Sequence, residues 1–250
     1  MCAYKIPISS PLLFDSLTET KQILITGYDD DQAPKMELLE KNGSSTICQA
    51  SSFKYPIDVE SASGALVGTT MVLCGGRDYS DMVYDSCYSF DKQNNQWTFL
   101  SKMSTPRYGS AAISIHNGVW ITGGWDDGRN DLSSTEFIFL NGTKSDGPSL
   151  PQPRSSHCLV QYKGTIIQTG GYGGVRSIVI YRQVKEDIEE IGNGPDMTNY
   201  RAEHGCGIFH SLQHGGRPIL VIAGGQKSAT TSEYLDFTVP DSKWLQSSKS

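Results

Sequence analysis

The chain has 250 residues, a formal net charge of −6 and 37% hydrophobic residues, enough to bury a large core in one or two domains. No Lys/Arg run occurs, which argues against nucleic-acid binding because phosphate neutralisation supplies most of that affinity. No stretch approaches the roughly 18 apolar residues that span a bilayer, and the start, MCAYKIPISSPLLF, lacks the apolar segment of a leader peptide. The expectation is a cytoplasmic protein, or an extracellular one if the chain is a fragment of a secreted protein, without nucleic-acid or membrane partners.

In chain order, the first apolar run ending on glycine is ILITG, which closes at Gly27 and is followed by Tyr28 and three aspartates. KMELLEKNG comes next and is too short for a stable helix. VLCGG then reaches Gly75, followed by CYSF with Tyr88, a turn at Asn94-Asn95 and a run marked by Trp97. The corner Pro106-Arg107 leads into GSAAISI, a turn at Asn117-Gly118, WITGG reaching Gly123, EFIF with Phe137 and a turn at Asn141-Gly142. Pro153-Arg154 leads to IIQTGG at Gly170 and IVIY with Tyr181. Tyr200-Arg201 leads to VIAGG at Gly224, EYLDF with Tyr234, and Trp244.

The first glycines stand 48, 48, 47 and 54 residues apart. From corner arginine to glycine is 16 residues for Arg107–Gly123 and Arg154–Gly170, but 23 for Arg201–Gly224. The 7 extra residues, 23 minus 16, fall in the single hairpin IFHSLQHGGRPI. An insertion confined to one turn is how true repeats vary. Each unit therefore reads as four short strands: a after the arginine corner, b ending in Gly-Gly, c with an aromatic residue, and d. The chain reads as an all-β repeat array.

This period, with its Gly-Gly, tyrosine and tryptophan, resembles the kelch repeat, most closely over residues 76–124, GRDYSDMVYDSCYSFDKQNNQWTFLSKMSTPRYGSAAISIHNGVWITGG. The resemblance covers roughly residues 11–246. It implies a single β-propeller domain of five four-stranded blades at about 11–49, 57–100, 107–147, 154–191 and 201–246. Residues 1–10 read as the outer strand of one further blade, so the whole reads as an incomplete six-bladed propeller with a gap between the units at Gly27 and Gly224. The first unit departs most: Tyr28 stands where a second glycine is expected, no tryptophan appears, and Asp58-Val59 replaces the next corner. In a propeller the glycines let neighbouring blades approach. Tyr88, Trp97, Tyr234 and Trp244 are expected to fill the gaps between sheets, and the arginine fork to tie corners to backbone carbonyls.

Candidate chemistry is sparse. GGYGGV (170–175) fails the dinucleotide spacing and precedes a strand. His157 and His204 share an offset of three from Arg154 and Arg201, a place where histidine could ligate a metal or exchange protons, but the filler of that slot in kelch-like repeats is commonly histidine. The acidic clusters after Tyr28 and Trp125 lack calcium-loop spacing. Asn42-Gly-Ser and Asn141-Gly-Thr are glycosylation sequons at c–d turns, which turn chemistry alone explains. The six cysteines show no metal spacing. Cys74 and Cys87 flank one b–c loop, where they could bond or remain thiols. No catalytic residue, cofactor or metal is assigned.

The expected function is a non-enzymatic scaffold or adaptor, as in kelch-like substrate receptors, holding a protein or peptide partner on the face formed by b–c and d–a loops. That face collects Tyr28, Arg77, Tyr79, Trp125, Arg129, Tyr172, Arg176 and Lys227 from one loop set, and Arg107, Tyr108, Arg154 and Arg201 from the other. Aromatics and arginines are the residues of binding hot spots. The alternative is an enzyme on the same architecture, a copper oxidase or a sugar-processing enzyme.

Overall fold

The structure, a computed structural model, describes residues 12–13, 22–28, 34–40, 56–91, 94, 96–211, 215–226, 230–239 and 241–246. Among the described residues every regular element is a strand, and each sheet is an antiparallel meander in chain order. The first sheet has three described strands, β1 (Leu12–Leu13), β2 (Gln22–Tyr28) and β3 (Pro34–Glu40). The second comprises β4 (Ser63–Val67), β5 (Thr70–Cys74), β6 (Ser86–Asp91) and β7 (Gln96–Lys102). The third comprises β8 (Ala111–Ile115), β9 (Gly118–Thr122), β10 (Thr135–Phe139) and β11 (Lys144–Asp146). The fourth comprises β12 (Cys158–Tyr162), β13 (Thr165–Thr169), β14 (Ile178–Val184) and β15 (Asp187–Gly194). The fifth comprises β16 (Gly205–Ser211), β17 (Arg217–Ala223), β18 (Ser232–Leu235) and β19 (Leu245–Gln246). The expected five four-stranded blades thus appear as four, plus one sheet of three described strands. Residues 1–10, on which the expected extra blade rests, lie outside the described residues.

The inner strands β4, β8, β12 and β16 lie side by side in chain order, so the sheets are the blades of a β-propeller. Alternate side chains leave a strand on opposite faces, and here both faces are covered. On β9, Val119 and Ile121 join Val72, Ala65 and Cys87 of the second blade, while Trp120 joins Ile166, Val179 and Tyr181 of the fourth. All five residues of β9 are therefore buried. The inserted hairpin lengthens the inner pair of the fifth blade: β16 and β17 have 7 residues each, where β8 and β9 have 5.

The glycine pair marks the joint between blades. Gly123 (φ 56°) and Gly124 (φ 96°) both lie in the left-handed region, and a Cβ on Gly123 would strike the Arg154 carbonyl of the next blade. That same carbonyl accepts the Gly124 N–H at 2.9 Å, and the contact repeats from Gly76 to Arg107 at 2.9 Å and from Gly171 to Arg201 at 3.0 Å. Only a residue without a side chain permits this approach. Nearer the axis, Ser61, Gly109, Ser156 and Glu203 take positive φ at the same place in successive units. The last three each pass a hydrogen bond to the one before: Glu203 N–H to Ser156 O (2.8 Å), Ser156 N–H to Gly109 O (2.7 Å), Gly109 N–H to Ser61 O (2.9 Å).

The strand-c aromatics do not share one register. Tyr88 pairs with Leu73, Phe137 with Trp120, Tyr181 with Ile166 and Tyr234 with Val221. Those partners stand two, three, four and three residues before the first glycine, and a one-residue step turns the side chain to the other face. The expected burial of Tyr88, Trp97, Tyr234 and Trp244 is corrected: all four are half-buried, Trp97 and Trp244 because they lie on or beside β7 and β19, the edge strands of their sheets. The fully enclosed aromatics among the described residues are Trp120 and Tyr181, both 0% exposed, in edge contact at 5.1 Å across the joint between the third and fourth blades.

Cys74 and Cys87 lie directly opposite across β5 and β6 and are disulfide-bonded, with a Cα separation of 4.0 Å. A second disulfide was not anticipated. Cys158 of β12 bonds Cys206 of β16, 6.1 Å apart at Cα, and so links the fourth and fifth blades. The signal was a separation of 48 residues, one repeat, between two cysteines at the starts of neighbouring inner strands.

Candidate binding face

The loops after strand b and the corners before strand a meet on one face, held by paired backbone hydrogen bonds. Tyr108 and Trp125 exchange two, at 3.0 and 2.8 Å, as do Glu60 and Arg77, at 2.8 and 3.0 Å; Tyr172 N–H reaches Ser155 O at 2.9 Å. These bonds fix the residue after Gly-Gly in the second, third and fourth blades, namely Arg77, Trp125 and Tyr172, as a repeating platform. Arg77 and Trp125 lean on the next blade. The Arg77 guanidinium lies 4.7 Å from the centre of the Tyr108 ring, and the Trp125 ring contacts Tyr172 edge-on at 5.1 Å. Tyr108, 6% exposed, packs against Trp125 at 5.3 Å, so the three rings form one continuous strip.

Trp125 is half-buried, whereas Tyr172 is 37% and Tyr79 62% exposed. Arg77 donates from Nε to Glu60 at 2.6 Å and from its terminus to Asp81 at 3.3 Å. Arg129 crosses between blades to Asp81 at 3.1 Å, and Arg176 lies 4.0 Å from Asp196. Asp78 and Asp126 organise their loops. Hydrogen bonds from the Ser80 side chain, the Met82 N–H and the Tyr84 hydroxyl hold the Asp78 carboxyl below its usual range. The Asn130 N–H and side chain do the same for Asp126. Tyr28 ends β2 opposite Pro34, its side chain not described, and Lys227 lies outside the described residues.

Arg107, Arg154 and Arg201 do not belong to this surface. All three are 0–1% exposed, and each forks into the b–c loop of its own blade. Arg107 donates to Gly123 O and Ser134 O (both 2.9 Å), Ser134 Oγ (3.2 Å) and Glu136 (2.8 Å). Arg201 donates to Gly224 O (2.7 Å), Thr231 O (3.0 Å), Thr231 Oγ1 (2.9 Å) and Glu233 (2.9 Å). The fork geometry of guanidinium fits it to several acceptors at once, and these bonds occupy the donors that a partner would need.

The carboxylate in this network was missed by sequence reasoning. Glu136 also accepts the Ser104 and Thr105 N–H groups, and Glu233 those of Thr198 and Asn199. Its signal was the pair of tripeptides Ser134-Thr135-Glu136 and Thr231-Ser232-Glu233 at one register. The fourth blade departs from it in two linked ways. Val179 stands at the carboxylate position, opposite Gln168, and Pro151, three residues before Arg154, has no N–H to offer. Arg154 keeps Gly170 O and Ser177 Oγ, while its Nε has no partner among the described residues. Burial lowers the pKa of both Arg107 and Arg154, and Glu136 opposes that only for Arg107. In the second blade Val59 replaces the arginine, and Ser86 Oγ, equivalent to Ser134 Oγ, is left without a partner among the described residues.

His157 and His204 occupy separate joints between blades. Their Nε2 atoms bond Thr122 Oγ1 at 2.7 Å and Thr169 Oγ1 at 2.8 Å. Burial pushes the His157 pKa well down and that of His204 to about 3, with Arg154 and Arg201 adding to the effect. Both are neutral rings filling a structural slot. Among the described residues no three His, Cys, Asp or Glu side chains are grouped to hold a metal ion.

The fold is that of a β-propeller, and its repeated glycine, arginine and left-handed positions are similar to those of kelch repeats. A profile of the Kelch motif matches residues 61–104. The chain is similar to Kelch-like protein 38 of Homo sapiens, at 32% identity over 108 residues, which is 41% of this chain and 18% of that protein. It is also similar to spermatocyte protein spe-26 of Caenorhabditis elegans, at 26% identity over 125 residues, 48% of this chain and 22% of that protein. The matched segments span less than a quarter of either relative. Among solved structures, that of YjhT superimposes with a TM-score of 0.73 at 13% identity, over 96% of this chain and 83% of that one; this likeness concerns the fold.

Proposed function

We propose that the chain is a non-enzymatic protein-interaction propeller, a scaffold or adaptor that holds a protein or peptide partner on the face of b–c loops and d–a corners. The observation that carries this reading is the strip of rings Tyr108, Trp125 and Tyr172, fixed by backbone hydrogen bonds and open to solvent at Trp125 and Tyr172. Rigid, part-exposed aromatics supply contact area at low entropic cost, the property of hot-spot residues. The similarity to Kelch-like proteins supports a binding role over catalysis. The test compares Trp125→Ala and Tyr172→Ala with Leu140→Ala and Lys185→Ala on the opposite face, using a partner captured by the intact chain. The platform variants should lose about 2 kcal/mol or more of binding while staying folded. Loss of binding only in the opposite-face variants would overturn the reading.

A further inference from the structure

We infer, resting on the proposed function, that the partner segment held on this face is basic: an extended peptide whose arginine or lysine side chain seats on the Trp125–Tyr172 rings. The molecule contains its own example of such a seat. Arg77 lies 4.7 Å over the Tyr108 ring while Glu60 and Asp81 bind its guanidinium at 2.6 and 3.3 Å. This is a cation held by an aromatic face and flanking carboxylates. The next two units repeat the platform with one change, because the position that supplies arginine in the second blade supplies a ring in the third and fourth. Trp125 and Tyr172 meet edge-on, and among the described residues no cation of this chain stacks on either.

The charges around these rings match a cation and not an anion. The loop 125–134 carries Asp126, Asp127 and Asp131 against the single arginine Arg129. That arginine already pairs with Asp81, and Arg176 on the following loop faces Asp196. Asp127 and Asp131 are exposed, and Asp127 has no ion pair among the described residues. Asp131 accepts one hydrogen bond through Oδ1, from Ser155 at 2.5 Å. The three arginines that would have served an acidic ligand are sealed inside the blades. An extended basic segment crossing the face meets a ring and a carboxylate together, and like-charge repulsion disfavours an acidic one.

The experiment selects random linear peptides displayed on phage against the intact chain, with the Trp125→Ala and Tyr172→Ala chains as counter-selections. Their folding is checked by circular dichroism. The peptides that depend on the rings should be enriched in arginine and lysine, and a synthetic representative should lose about tenfold in affinity with Asp127→Asn/Asp131→Asn. Its binding should also weaken as salt rises. Ring-dependent peptides rich in Asp or Glu, or basic ones indifferent to the double substitution, would refute the basic partner and leave the binding face standing. No ring-dependent peptides at all would refute both readings.

Discussion

Replacing Glu136 by alanine should destabilise the propeller by about 3–5 kcal/mol, the usual cost of leaving one member of a buried ion pair alone. The magnitude follows from what the carboxylate does. Glu136 and Arg107 are 2% and 0% exposed, so solvent cannot replace the lost partner. The substitution strands the Arg107 terminus together with the Ser104 and Thr105 N–H groups, bonded at 2.6 and 3.2 Å. Arg107 keeps Gly123 O, Ser134 O and Ser134 Oγ, which is why the cost should not exceed that range. For a chain of this size each kcal/mol lowers the melting temperature by about 2–4 °C, so thermal denaturation followed by circular dichroism should show a fall of roughly 6–20 °C. Glu233→Ala should behave alike, since its contacts repeat those of Glu136. A loss below about 1 kcal/mol in both variants would mean that the pair is no better than an exposed one, and the account of the corner would be wrong.

Acidification should destabilise the fold through His157 and His204. Their folded pKa values lie below the unfolded value of 6.5, with His204 at about 3. The unfolded chain therefore takes up protons first as pH falls below about 6.5. Stability should decline from there towards pH 3, by about 1.4 kcal/mol per pH unit per histidine at most; urea unfolding at pH 7 and pH 5 measures it, and a flat profile would contradict the burial of both rings. Trp120→Ala should cost about 3–5 kcal/mol, and Trp97→Ala clearly less because its ring is half-buried; equal losses in thermal melts would refute the placement of the core. Cys74, Cys87, Cys158 and Cys206 should resist alkylation in denaturant until reduced. On the loop-entropy relation, opening the Cys158–Cys206 bond (separation 48) should cost about 4 kcal/mol, against about 3 for Cys74–Cys87 (separation 13). Free thiols at these positions before reduction would exclude the bonds.

The repeat was legible because it is written in backbone constraints. Paired glycines at the joints, and an arginine 16 residues ahead of the first glycine in the third and fourth blades, survive as sequence spacing, since a side chain on Gly123 would strike the next blade. The aromatics were less legible. Tyr88, Phe137, Tyr181 and Tyr234 look alike in sequence, yet their registers differ by single residues, and each step reverses the face. Arg107, Arg154 and Arg201 read as both structural and available to a partner, because sequence does not show where a guanidinium's donors end. Their acceptors, Ser134, Glu136, Ser177, Thr231 and Glu233, lie 23 to 32 residues away in chain. The ring strip was half visible: Trp125 and Tyr172 stood out after Gly-Gly, while the coupling of Tyr108 to Trp125 depends on hydrogen bonds between two loops.

Hydrogen exchange of the intact chain, with and without a ring-dependent peptide, tests the central claim most directly. Exchange should slow in the loops 77–85, 125–134 and 172–177, with no change at the opposite turns around 140–143 and 184–187. Protection confined to those opposite turns would contradict it.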